Sequence, residues 1–338
     1  MPESFLHLER EEQSRIYRAL APLLARSPHV LEKDVWLCWV LQTLFAMPGR
    51  LPMAFKGGTS LSKVFGAIAR FSEDVDITLD YRGLDAAFDP FAEGVSHNRL
   101  KKFSAALKSF LREHVHGIVV PYFQRALAKE FGSAAFLLEV GEDGEQMRMH
   151  YPSVLEKSGG YLGSSVLIEF GGRNITEPNE MHEVRPDIAA HVAELAFPVA
   201  QVRVLSPART FWEKATLIHV ECQREAFRTG AERLSRHWYD LAMLADLAHG
   251  QAAVADRALL ADVVKHKKAF YNASYAHYDD CLRGQFRLIP EGAALIALRE
   301  DFRRMADAGM FIGAAPAFDT ILARLRALEC VLNGRATV

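Results

Sequence analysis

The sequence predicts an α+β fold, in which a mixed sheet with flanking helices is followed by a C-terminal helical domain. Three observations predict it. Between residues 51 and 205 the apolar residues switch repeatedly between the alternation of strands and the 3.6-residue period of helices. From Ser14 to about Met47, and again from Ser206 onward, the pattern is helical almost throughout. The chain has 338 residues, of which 50% are apolar and 24% charged, enough to bury two cores and too apolar for a disordered or low-complexity chain. The expected division is 1–50 as N-terminal helices packing on the core, 51–205 as the mixed core, and 206–338 as the helical domain.

Taken in order, Ile16, Leu20, Leu23 and Leu24, then Trp36, Val40, Leu41 and Leu44, recur at helical spacing and predict a helical pair. After Pro48 and Gly49, Met53 and Phe55 mark a short strand, Gly57 and Gly58 break it, and Leu61, Val64, Phe65 and Ile68 predict a helix. Asp74 to Tyr81 alternates, with Val75, Ile77 and Leu79 on one face and Asp74, Asp76, Thr78 and Asp80 on the other. Residues 99–131 predict helices along the stripe Leu100, Phe103, Leu107, Phe110 and Leu111, with an interruption at Pro121. FLLEV at 136–140 and QMRMH at 146–150 flank GEDGE, whose Asp143 and Gly144 supply turn chemistry, so a hairpin is expected. SSVLIEF at 164–170 reads as a strand with one carboxylate, Glu169, ending in the Gly171 and Gly172 pair. Ser206 and Pro207 then supply a cap and a first helical position.

Forty Lys and Arg oppose 42 Asp and Glu, so the net charge of -2 neither requires nor excludes a nucleic-acid partner. The four cysteines, Cys38, Cys222, Cys281 and Cys330, form no CxxC pair, which argues against a zinc knuckle or a disulfide framework. The first residues lack the apolar core of a secretory signal, and the apolar stretch from Trp36 to Met47 is too short to cross a bilayer. The expectation is a cytoplasmic protein with no membrane partner.

Asp74 and Asp76, at i and i+2 on a strand, share a face roughly 7 Å apart at the backbone, so both carboxylates can converge on one divalent ion. Mg²⁺ held by one or two carboxylates and substrate phosphates is the usual arrangement, and Mn²⁺ would suit the same donors. Upstream, Gly57 and Gly58 permit close backbone approach, and Thr59 and Ser60 open a helix whose free N–H groups favour phosphate. Together they describe a nucleoside triphosphate site. Glu169 is a candidate third metal carboxylate, with Glu139 competing for that place. Each piece also has a plainer reading: a solvated Asp-x-Asp face, an ordinary glycine turn, and a surface glutamate. Lys56, Lys63 and Arg70 add positive charge around the turn, and Lys63 is a candidate phosphate contact. A Walker loop and a kinase HRD motif are both missing from the sequence.

KGGTSLSK at 56–63 and RFSEDVDI at 70–77 resemble the nucleotidyltransferase superfamily, in which a GS or GG turn precedes a D-x-D strand. With VLSPARTFWEKATLIH at 204–219 and RHWYDLAML at 236–244, the chain resembles in order the four motifs of the AbiEii-type nucleotidyltransferases. That family includes toxins of bacterial toxin–antitoxin and abortive-infection (phage defence) systems. EKDVWLCWVL at 32–41 and the tail from FRLIPEGAALIALREDFRRM onward are similar to its flanking segments. The resemblance implies a nucleotidyltransferase-like sheet, with Gly57, Gly58, Thr59 and Ser60 holding the triphosphate and Asp74 and Asp76 the metal. It further implies that Lys214 contacts the triphosphate and that Asp240 lies beside the nucleotide or the phosphate-turn serine. From the residues alone, Lys214 reads equally as an exposed helical lysine and Asp240 as a partner of Arg236 one turn earlier.

The function this implies is transfer of a nucleoside monophosphate from an NTP to a hydroxyl acceptor with release of pyrophosphate. The acceptor favoured by the resemblance is the 3′ end of an RNA, a tRNA in particular, and a cognate antitoxin is the expected protein partner. The turn and the D-x-D strand permit transfer to a protein side chain or a small molecule equally, and a non-catalytic nucleotide- or antitoxin-binding protein is a further alternative. Candidate phosphate-tracking cations are Lys101, Lys102 and Lys108, then Lys265, His266, Lys267 and Lys268, then Arg299, Arg303 and Arg304, with Tyr271 and Tyr275 as stacking candidates.

Overall fold

A computed structural model describes residues 2–85, 87–132, 136–156, 163–224, 227, 233–271 and 273–335. The chain is an α+β fold that divides into two compact units, the first comprising residues 1–64, 72–89 and 102–204 and the second residues 65–71, 90–101 and 205–338.

In the first unit, β1 (Glu3–Ser4) pairs in parallel with β8 (Leu195–Ala196). Helices α1 (Arg10–Leu20) and α2 (Pro28–Phe45) realise the N-terminal pair. Ser27 caps α2 by accepting from the Val30 N–H, with Pro28 in the first turn where its missing N–H costs nothing. Helix α2 is apolar on nearly all sides because it is buried on nearly all sides, Trp39 and Leu41 among its core residues. A seven-stranded mixed sheet supports the rest, built from β2 (Met53–Lys56), β3 (Asp74–Asp80), β4 (Leu137–Val140), β5 (Gln146–His150), β6 (Ser165–Asn174), β7 (Asn179–Val184) and β9 (Ala200–Leu205). Their order is β4-β5-β6-β3-β2-β9-β7; β3 runs antiparallel to β2 and parallel to β6.

Three local expectations are corrected. The helix after the glycine turn, α3 (Gly57–Lys63), stops before Val64, Phe65 and Ile68, and the last two join the second unit instead. Pro121 does not interrupt the long helix: α5 (His97–His114) passes through a π-helical segment, Val115–Val119, into α6 (Val120–Phe131), whose first turn holds the proline. The wider π turn absorbs the bond that Pro121 cannot donate. Strand β6 runs through Gly171 and Gly172 to Asn174, and the reason for Gly172 is packing: a Cβ there would lie 2.8 Å from Leu84 Cδ1 and 3.4 Å from Leu111 Cβ. The short α4 (Tyr81–Leu84) carries that leucine.

The second unit is helical: α7 (Pro207–Cys222), α8 (Ser235–Ala245), α9 (Ala248–Ala255), α10 (Arg257–Phe270), α11 (Tyr278–Leu282), α12 (Gly292–Asp307) and α13 (Phe318–Leu332). Ser206 caps α7 by accepting from Arg209 N–H, as its position before Pro207 predicts. Trp212 and Trp238 fill the interior, and each donates its indole N–H to a backbone carbonyl, of Ala253 at 3.0 Å and Leu288 at 2.9 Å. The stretch 65–71 is fixed here by hydrogen bonds from Phe71 N to Met310 O, from Ile312 N to Ala69 O, and from Ala69 N to the Tyr239 hydroxyl. Among the described residues no helix is long and apolar enough to cross a membrane.

Candidate active site

Strand register assembles the first part of the site. Lys56 on β2 pairs with Asp76 on β3, Asp76 with Glu169 on β6, and Glu169 with Gln146 on β5. Paired positions on neighbouring strands project to the same side, so these four side chains form one row across the sheet. Gln146 Nε2 donates to Glu169 Oε1 at 2.8 Å. The row opens into a cleft of about 670 Å³ whose far wall is the β4–β5 hairpin turn, with Glu142, Asp143 and Glu145. That turn closes as its composition predicts: Gly144 is left-handed with φ +70°, and Asp143 accepts from Glu145 N–H.

The polar face of β3 is not a solvated one. Asp74, Thr78 and Asp80 are buried, and Asp76 alone of the four is part-exposed, at the cleft. The glycine turn lies directly against it. Gly57 adopts φ +79°, and a Cβ on it would fall 2.0 Å from Asp76 Oδ2, so both its conformation and its surroundings demand glycine. Thr59 donates its hydroxyl to Asp74 O at 2.6 Å, and Ser60 donates to Gly57 O at 3.0 Å. The turn and the aspartate strand are thus one hydrogen-bonded piece. Gly58, Thr59 and Ser60 are buried behind it.

Lys63 is not at this cleft. Its ammonium is buried between Asp34 at 2.6 Å and Asp187 at 3.0 Å, with Arg26 on the other side of Asp187 at 2.7 Å. Burial works against the charge on Lys63, yet Asp34, Cys38 and Asp187 hold its pKa above the usual lysine value. The neighbouring α2 residue Lys33 pairs with Glu73, and Glu32 accepts from the Ser153 hydroxyl and Val154 N–H. These charges of EKDVW are internal ties of the first unit. Glu139 lies on the edge strand, paired with His150 and separated from Asp76 by two intervening strands, while Glu169 is Asp76's immediate neighbour. Arg173 faces Glu145 at 3.6 Å.

The second unit holds the other predicted pair. Asp240, with no solvent exposure, receives a two-pronged bond from Arg70 Nε and an Nη, both 2.7 Å, and an ion pair from Lys214 at 2.8 Å. Burial favours the neutral acid, but Arg70 and Lys214 overcome it and hold Asp240 well below the usual carboxylate range. Burial lowers the Lys214 pKa; Asp240 opposes the change and Arg70 adds to it. His237, whose Nδ1 lies 3.4 Å from the Lys214 ammonium, is pushed far down by burial and by the nearby Lys214 and Arg236 charges, so it stays neutral. Of the plainer readings of this pair, an exposed Lys214 does not hold, since Lys214 is 7% exposed, and the guanidinium on Asp240 is that of Arg70. Arg70 is therefore a partner of Asp240.

The candidate acceptor-binding cations are largely neutralised on the surface. Arg299 is paired with Asp319, Arg303 with Glu300 and Asp307, Lys268 with Asp279, and Lys108 with Glu145. Lys265 and Lys267 cover the rings of Phe91 and Tyr271, and Arg224 covers Tyr275. His266 is buried.

Among the described residues no three His, Cys, Asp or Glu side chains form a ready-made metal cage. The donor chemistry of the Asp74 and Asp76 face nevertheless fits a hard cation that takes one or two carboxylates and completes its shell with substrate oxygens and water.

The family model described as "Nucleotidyl transferase AbiEii toxin, Type IV TA system" matches residues 39–324. No curated protein matches the chain. Among solved structures, the chain is similar to MenT4, a nucleotidyltransferase toxin from Mycobacterium tuberculosis H37Rv, with a TM-score of 0.48 at 18% identity over 98% of this chain and 91% of that one.

Proposed function

Because the chain belongs to the AbiEii nucleotidyltransferase toxin family of type IV toxin–antitoxin systems, we propose that it moves a nucleoside monophosphate from an NTP to a hydroxyl of an RNA 3′ end, a tRNA being the favoured acceptor. The observation that carries the reading is the contact of the Gly57 turn with Asp76, which sets a close backbone approach beside a carboxylate row in an open cleft. In this reading the acceptor oxygen attacks the α-phosphorus, the bond to the β-phosphate oxygen breaks, and pyrophosphate leaves.

Gly57, Gly58, Thr59 and Ser60 bring the backbone up to the triphosphate. Asp74 and Asp76 would hold Mg²⁺ or Mn²⁺, which when bound neutralises phosphate charge and orients the reacting oxygens. Glu169, with Oε1 held by Gln146, offers Oε2 to the acceptor proton. Lys214, buried and sharing its one carboxylate with Arg70, supplies positive charge to the triphosphate, and Asp240 positions Lys214. Lys63 has no part in this, because its charge is spent on Asp34 and Asp187. A cognate antitoxin is the expected cellular partner, neutralising the growth inhibition that the modified RNA causes.

The test is incubation of purified protein and Mg²⁺ with each labelled NTP and total cellular RNA, with Asp76→Asn alongside. Label in a tRNA-sized band, reduced at least about a hundredfold in a variant with unchanged thermal midpoint, is the expected result. Label on protein alone would replace RNA by a side-chain acceptor, and an active Asp76→Asn would end the mechanism.

A further inference from the structure

The second unit contains a cleft of about 1480 Å³, distinct in its residues from the Lys214 and Asp240 cluster. Part of its wall is the irregular stretch 285–290 between α11 and α12, whose residues 286–288 are tied by side chains. Asn333 accepts from Phe286 N–H at 2.7 Å and donates to Phe286 O at 3.0 Å. The Arg287 N–H donates to His219 Nδ1 at 3.0 Å, Leu288 N–H to Glu329, and the Trp238 indole to Leu288 O. His219 is fully buried, and because its Nδ1 accepts, its Nε2 carries the proton and meets His277 O at 3.2 Å. A loop held this firmly without regular structure is a rigid mount for whatever it presents.

It presents Arg287. Arg326 from α13 and Arg335 line the same cleft, and all three guanidinium groups are without an ion-pair partner among the described residues. Elsewhere in the unit Arg299, Arg303, Arg304 and Arg324 each have an acidic partner, and within the cleft Arg224 is held by Glu221 and the Tyr275 hydroxyl. Of the three acids in the cleft wall, Glu329 is engaged by Leu288 N–H, Asp280 faces Arg283, and Glu291 lies exposed just before the first turn of α12. Gln223 and Gln285 add amides that can meet base edges. Planar guanidinium forks match phosphate oxygens two at a time, and several of them around a cleft of this volume suit a chain of phosphodiesters.

We propose that this cleft binds the phosphate backbone of the RNA acceptor, making Arg287 and Arg326 positioning residues for that substrate. The proposal rests on the RNA reading of the acceptor given above. Its test is fluorescence anisotropy of the full chain with a labelled single-stranded RNA of mixed sequence across a salt series, for wild type and Arg287→Ala/Arg326→Ala. Both residues are exposed, so the double variant keeps its fold. It should bind at least about tenfold more weakly, lose about 1.4 from the slope of log K against log salt, and bind NTP as wild type does. Unchanged affinity and slope in the double variant would overturn the cleft while leaving RNA as acceptor. Wild-type affinity for a polyglutamate peptide but not for RNA would overturn it in favour of an acidic protein partner. Label reaching protein and never RNA in the transfer assay would remove the RNA reading itself.

Discussion

Asp240 is ionised without any solvent exposure because two cations from distant parts of the chain, Arg70 and Lys214, converge on it. Asp240→Asn therefore leaves two buried cations with no anion and should cost about 3–5 kcal/mol of stability. Lys214→Met leaves the two-pronged Arg70 bond intact and should cost clearly less, while lowering kcat/KM for transfer at least about a hundredfold. Urea midpoints and transfer rates on the two variants separate these effects. An active Lys214→Met would deny that the lysine meets the triphosphate. At this scale the ion-pair partners of Lys63, Lys214 and Asp240 are what the sequence left unread. Asp74, Asp76 and Gly57 were legible because a period-two strand and a glycine turn leave a local signature. The Arg70 and Asp240 bond joins residues 170 positions apart, and helical spacing offered only the neighbouring Arg236. Lys63 went astray for the same reason, since Asp34 and Asp187 reach it from α2 and from beyond the sheet strand β7.

At the scale of elements, β6 is the instructive case. Its Gly171 and Gly172 read as a strand end, because glycine is a breaker in a one-dimensional pattern. In the fold, β6 continues, and Gly172 is where Leu84 and Leu111 press against the strand. Gly172→Val would place methyl groups into both leucines and should destabilise the protein by about 1–3 kcal/mol, read as a lowered thermal midpoint. Gly171, whose nearest approach is Ile77 O at 3.9 Å, should tolerate alanine far better. The row from Lys56 through Asp76 and Glu169 to Gln146 was likewise hidden. Each residue is visible in its own strand, but the register that aligns them depends on the order β5-β6-β3-β2. Pro121 shows the converse: a residue with a strong local rule, accommodated by a π turn that no spacing rule foretold.

For the whole molecule, acid is the expected weakness. Burial pushes His114, His219 and His266 below the ordinary histidine value, and burial together with Lys214 and Arg236 does so for His237. The unfolded chain takes up these protons near pH 6.5 and the folded chain only at lower pH. The stability they contribute is thus fully present above pH 6.5 and lost as pH falls. The slope is at most about 1.4 kcal/mol per pH unit for each such site. Asp240, depressed below its unfolded value, adds a second loss, present in full above about pH 4 and withdrawn below it. Urea midpoints at neutral pH and near pH 5.5 check the first window, and a midpoint that rises on acidification would contradict it.

The path of the chain between Lys63 and Asp74 has a practical outcome for anyone dissecting the protein. Residues 65–71 and 90–101 are woven into the helical unit although they lie inside the stretch that codes for the sheet. A fragment begun at 206 would be made without Arg70, and Asp240 would then face Lys214 alone. No single cut yields both halves intact, so separate expression should give an insoluble or poorly packed C-terminal piece, whereas co-expression of fragments split within one unit's exposed loop keeps every buried pair available.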